Sequence, residues 1–369
     1  MTDATPQRTL PVLGLLSIFG LLLLVTLSKQ GNNPPQGWTE GWQALAPFTH
    51  PRRALATTAT KDYLYVLGGV DAQNQYVRPV EYARILANGQ LGPWKQTSAL
   101  LEGRFYLAAA SHDGYLYALG GGGGQLGDNN VPLASVERAK INADGSLQSW
   151  QHHSYLTTPR RGLTAAVINK RLYAIGGYNG QFLKSTEFIA LGAGQQPAQW
   201  RPATQLAQVD RYIHASATQG NRLYLLGGHV QKGGPMSYGD VESSTVNTRS
   251  GQLGPWHIAP THLLTARFIA SAFAFENYLY IVGGHNGTQR LASVEMARTD
   301  ADGKITAWTQ QPSLNHQRSA TAVATNGRYV YVAGGMDDQG VLRSVEMAQI
   351  GPHGELGHIA QSNTALAGK

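Results

Sequence analysis

The chain is 369 residues long, carries a formal charge of +7 and has 44 glycines, no cysteine and only 14% charged residues. The missing cysteine excludes disulfides, thiolate metal sites and a cysteine nucleophile. Glycine far above its usual share of roughly 7%, with 17 Tyr and 7 Trp, points to an all-β chain rich in tight turns.

Residues 1–9 form a short polar tail. Residues 10–28 are uncharged, centred on Leu21, Leu22, Leu23 and Leu24, with Arg8 before and Lys29 after. As a helix this run would span about 28 Å, the thickness of a hydrocarbon core. It ends in Val25-Thr26-Leu27-Ser28, a poor signal-peptidase site. The expectation is an uncleaved transmembrane signal anchor that places everything after it on the non-cytoplasmic (periplasmic or extracellular) side. The alternative is cleavage and secretion. Residues 29–41, with Pro34-Pro35 and no apolar period, read as a linker.

From residue 42 onward the sequence repeats. An apolar, Tyr-containing run ending in Gly-Gly occurs six times, the first glycines being Gly68, Gly120, Gly176, Gly227, Gly283 and Gly334, spaced 51 to 56 residues apart. An Arg stands sixteen residues before each: Arg52, Arg104, Arg160, Arg211, Arg267 and Arg318. A Trp precedes each Arg by ten or eleven residues (Trp42, Trp94, Trp150, Trp200, Trp256, Trp308), and a Glu follows each Gly-Gly (Glu81, Glu137, Glu187, Glu242, Glu295, Glu346). Each unit reads as four short strands. The first is built of small residues, as a strand beside a crowded axis requires. The second ends at the glycines, the third carries the Glu and the fourth the Trp. Four-stranded sheets repeated radially make a β-propeller, and six units make six blades spanning residues 42–369.

This pattern of Arg, Tyr, Gly-Gly, Glu and Trp resembles the kelch repeat. The resemblance covers residues 42–350 and implies a six-bladed kelch-type propeller after one N-terminal helix. It also implies that the loops from strand four to strand one, which hold the six arginines, share a face with the loops from strand two to strand three. In kelch domains that bind peptides, arginines in such loops hold acidic side chains by bidentate hydrogen bonds. The functional expectation for the six is therefore an anion-binding mouth; the structural one is that each pairs with the repeat Glu and ties loop to blade.

The second loop set supplies further ligand-binding candidates. His229 and His285 share an offset on adjacent blades, as do His50 and His316. Tyr178 and Tyr238 lie in the same loops, and Phe105, Tyr212 and Phe268 each follow a repeat arginine. These aromatics suit stacking on a sugar ring or a proline. No HExxH or close ligand spacing indicates a metal, no cofactor fingerprint is present, and no catalytic residue is assigned. The copper oxidase chemistry of some kelch propellers needs a cysteine, which is absent. Interleaved acids argue against nucleic acid. The leading expectation is a membrane-tethered recognition module for an acidic protein segment or an anionic glycan. The rivals are a sugar-modifying, mutarotase- or epimerase-like enzyme on the same scaffold and a structural subunit of a membrane complex. Ring closure has two candidate outer strands for blade 6, residues 41–46 with Trp42 and residues 356–361 with His358. The in-register tryptophan favours the first.

Overall fold

The computed structural model describes residues 36–126, 130–192, 199–229 and 237–359. Residues 10–28, expected to form the membrane anchor, lie outside them. No helix among the described residues is long and apolar enough to cross a membrane.

Five four-stranded antiparallel sheets and one six-stranded sheet form the blades of the propeller. Blade 1 runs Ala56–Ala59, Tyr63–Leu67, Pro79–Arg84 and Lys95–Ala99 from the axis outward. The innermost strands line the axis and are small for that reason. Their residues from blades 1 to 6 (Ala56, Ala108, Ala165, Ala215, Ala272, Ala322 among them) enclose an axial cavity of about 220 Å³.

Two devices join neighbouring blades. In five blades the tyrosine of the second strand reaches the turn before the fourth strand of the next blade. Tyr65 donates to Gly145 O at 2.8 Å, Tyr173 to Gly251 O, Tyr224 to Gly303 O and Tyr280 to Gly354 O, and Tyr331 closes the circle on Gly89 O. The tryptophans point the other way: the indole of Trp150 donates to Ser98 O of blade 1, that of Trp200 to Ser154 Oγ of blade 2, and that of Trp94 to Ala46 O. Apart from the half-buried Trp94, these rings are buried between sheets, where a large amphipathic side chain stabilises most.

The repeated Gly-Gly answers a close approach. The second glycine of each pair donates to the carbonyl of the next blade's repeat arginine, as Gly121 does to Arg160 O at 2.9 Å. A Cβ on Gly120 would lie 2.5 Å from that same oxygen.

Ring closure corrects the expectation for blade 6. The outer position of Val345–Ile350 is shared. Gln43–Leu45 pairs with its first half (Gln43 opposite Met347) and Leu356–Ile359 with its second (Leu356 opposite Ile350). Trp42 is buried in register as expected, its indole donating to Pro312 O at 3.0 Å. Beyond these, Trp38–Glu40 pairs with Leu356–Ile359 as a further strand. The residues read as the end of a linker thus belong to the blade. A three-residue edge strand buries too little to leave an apolar period in the sequence.

Candidate functional site

The six repeat arginines are the largest fully buried side chains among the described residues, none more than 1% exposed. Each donates to the first glycine carbonyl of its own blade, for example Arg104 to Gly120 O at 2.8 Å and Arg211 to Gly227 O at 2.7 Å, which explains the sixteen-residue offset. Each also pairs with the repeat glutamate: Arg52 with Glu81 at 2.8 Å, Arg104 with Glu137 at 2.5 Å, Arg160 with Glu187 at 2.8 Å, Arg211 with Glu242 at 2.9 Å, Arg318 with Glu346 at 2.5 Å, and Arg267 with Glu295. The glutamates in turn accept backbone N–H groups of the loop that enters the blade, as Glu81 does from Thr49 and His50. Burial pushes Glu81 up, but those N–H groups and Arg52 outweigh it and hold the carboxyl below its ordinary value. Burial lowers Arg52 to about 10, against the opposing pull of Glu81, so it stays charged at neutral pH.

This geometry is the loop-to-blade tie and not an open mouth. Breaking one such pair by removing a partner leaves an uncompensated buried charge, at a cost of about 3–5 kcal/mol. Arg211 departs from the others. It meets its glutamate through Nε, its Nη2 has no hydrogen-bond partner among the described residues, and the ring of Tyr238 covers the guanidinium at 5.3 Å.

The accessible chemistry lies one residue further along. The positions after the repeat arginines are Arg53, Phe105, Arg161, Tyr212, Phe268 and Ser319. Each forms a β-bridge with the residue after its own Gly-Gly: Val70, Gly122, Tyr178, His229, His285 and Met336. Beneath them runs a collar of six residues, Ala54, Tyr106, Gly162, Ile213, Ile269 and Ala320. Each donates its N–H to the carbonyl of the collar residue one blade back, at 2.8 to 3.1 Å, and Ala54 completes the circle on Ala320 O.

On this collar the aromatics form one arc. Centroids lie 6.2 Å apart for Tyr76–Phe105, 5.2 Å for Phe105–Tyr106 and 6.4 Å for Tyr106–Tyr212. The arc continues through Tyr178 and Phe182, 5.4 and 5.8 Å from Tyr212, to His229, Phe268 and His285. Tyr178, His229 and His285 are thus brought together, whereas Tyr238 sits apart on Arg211. Burial, then Arg290, lowers the pKa of His285 and favours the neutral imidazole; its Nδ1 accepts the N–H of Gly287. His50 is tied to Glu81 at 3.1 Å. No group of three or more metal-ligating side chains is found among the described residues.

Two cations stand in the arc that the sixteen-residue register passes over. Arg161 lies over Tyr178 at 4.9 Å and Tyr212 at 5.7 Å. It is half-buried and has no carboxylate partner among the described residues, and its Nε has no acceptor. Arg53 donates to Asn74 Oδ1 at 2.8 Å in an exposed position. Both act electrostatically on Tyr106, whose phenol is pushed up by burial and by Tyr212 against their pull. In each Arg-Arg doublet the first arginine holds the blade and the second faces the loops.

A six-bladed propeller with a buried Arg–Glu tie in every blade defines the class. The kelch motif matches residues 159–187 and 270–296. Kelch-like protein 25 of Xenopus tropicalis is 23% identical over 292 residues, 77% of this chain and 45% of the relative. Kelch-like protein 35 of Mus musculus is 29% identical over 184 residues, 50% of this chain and 28% of the relative. Alpha-scruin of Limulus polyphemus is 25% identical over 145 residues, 39% and 16% respectively. The chain therefore spans less than half the length of these relatives. The solved structure of YjhT superposes with a TM-score of 0.66 at 15% identity, over 85% of this chain and 98% of that one, a likeness of fold. The chain thus carries the kelch motif and is similar to kelch-repeat proteins.

Proposed function

We propose that this propeller is a recognition module that binds an acidic protein segment on its loop face, and that residues 10–28 tether it to a membrane with the propeller on the non-cytoplasmic side. Kelch propellers generally serve as protein-interaction modules, which supports the first part. The uncharged run supports the second. The observation that carries the reading is Arg161. Six arginines are buried and neutralised by glutamates, but this one is held against two tyrosines at the loop face with no carboxylate partner among the described residues. A ligand carboxylate supplies the missing charge, and the aromatic arc takes flat apolar groups beside it.

The test uses full-length chain from carbonate-washed membranes and a fluorescent glutamate–tyrosine copolymer peptide as probe. The chain is expected in the carbonate-resistant fraction, with probe binding weakened about 10- to 100-fold by Arg161→Ala, as for loss of one charged hydrogen bond worth about 1.5–3 kcal/mol. Unchanged binding by Arg161→Ala would overturn the site. Recovery of the chain in the carbonate wash would overturn the tether.

A further inference from the structure

One collar position differs from the rest: blade 3 has Gly162 where the others have Ala54, Tyr106, Ile213, Ile269 and Ala320. Backbone freedom does not account for it. All six residues have φ between 45° and 59°, and five of them hold that conformation with a side chain, two of them β-branched. Space accounts for it. A Cβ on Gly162 would lie 2.6 Å from Cδ2 of Tyr212, closer still to its Cε2, and 2.8 Å from Cγ2 of Ile213. The Tyr212 ring occupies the volume a blade 3 side chain would need. From there it stands 5.4 Å from Tyr178, and Arg161 rests over both rings.

We infer that Gly162 is a positioning residue for anion recognition: its missing side chain seats Tyr212, and the seated ring builds the two-tyrosine perch that holds the Arg161 guanidinium. This rests on the reading that Arg161 takes a carboxylate. A guanidinium held on aromatic faces has lost its rotamer freedom before the ligand arrives, so less is lost on binding. A methyl group at Gly162 turns the Tyr212 ring away and leaves Arg161 free to wander. The αL backbone tolerates that methyl, as Ala54 and Ala320 do in the same ring of hydrogen bonds.

The perch has a signature that needs no ligand. With 15N-arginine in the full-length, detergent-solubilised chain, the Arg161 Nε–Hε resonance, assigned by its loss in Arg161→Lys, should be displaced by ring currents from the position of a free arginine. Gly162→Ala should return it there and weaken binding of the glutamate–tyrosine copolymer about tenfold. Ala320→Gly, at an equivalent collar position, should change neither. Tyr212→Ala should reproduce both losses, and adding Gly162→Ala to it should lower the unfolding midpoint by less than Gly162→Ala lowers that of the wild type, only the contact with Ile213 Cγ2 remaining. An undisplaced or unmoved resonance in Gly162→Ala would overturn the inference. If Gly162→Ala does not fold, the double variant decides: folding once Tyr212 is gone supports the inference, and failure to fold refutes it. If the resonance behaves as stated but the wild type ignores the copolymer, the acidic-segment reading fails and the perch stands.

Discussion

His214 occupies the place that Leu55, Leu107 and Leu163 hold in blades 1 to 3, pressed against the Gly-Gly of the preceding blade. A Cβ on Gly176 would lie 2.6 Å from its Cε1. Its Nε2 shares a 3.1 Å hydrogen bond with Thr164 Oγ1, and Nδ1 has no partner among the described residues. Burial, then Arg211 and Arg160, lowers its pKa from 6.5 to about 3. Below pH 6.5 the unfolded chain therefore takes up a proton that the folded chain refuses until about pH 3. Stability contributed by the neutral ring is lost as pH falls through that window, by up to about 2 kcal/mol at pH 5. His214→Leu should remove this slope, so that urea midpoints at pH 5 and pH 7.5 lie closer together than in the wild type. The same pH difference in both proteins would show that His214 is not the group responsible.

Among the elements, the outer strand of blade 6 is the one assembled from two ends of the chain. Trp42 and Leu356 both belong to the apolar cluster between blades 5 and 6, with Tyr280, Val282 and Val330. Trp38 lies on the outer edge and is only partly buried. Trp42→Ala and Leu356→Ala are each expected to cost about 3 kcal/mol, and Trp38→Ala about 1 kcal/mol, by urea denaturation. A negligible cost at either core position would assign closure to the other terminus alone. The blades were legible in the sequence because each physical demand recurs six times. The glycine meets a carbonyl and the arginine a glutamate in every blade, and the arginine stands sixteen residues before its glycine each time. Closure was only half legible, since pairing of the two termini leaves no periodic mark. The site was less so. Arg52 and Arg160 stood out by register, whereas Arg53 and Arg161, which face the loops, occur in only two blades. The perch of Arg161 on Tyr178 and Tyr212 joins side chains of different blades, and no spacing within one repeat encodes that contact.

At the scale of the whole molecule, the collar is a circuit. A helix or a strand pair has terminal donors that fray, but six N–H groups passed from blade to blade leave no first and no last bond. No blade can withdraw without breaking two links at once, and no link lies nearer to an end than any other. In heavy water the amides of Ala54, Tyr106, Gly162, Ile213, Ile269 and Ala320 should therefore exchange as a single group, at the rate of global unfolding. Staggered exchange among the six, measured by NMR, would mean that the blades open separately. If they exchange together, the part of the protein nearest its loop face is also the last to come apart, and whatever docks there would meet a rim of adaptable side chains on a base that does not breathe.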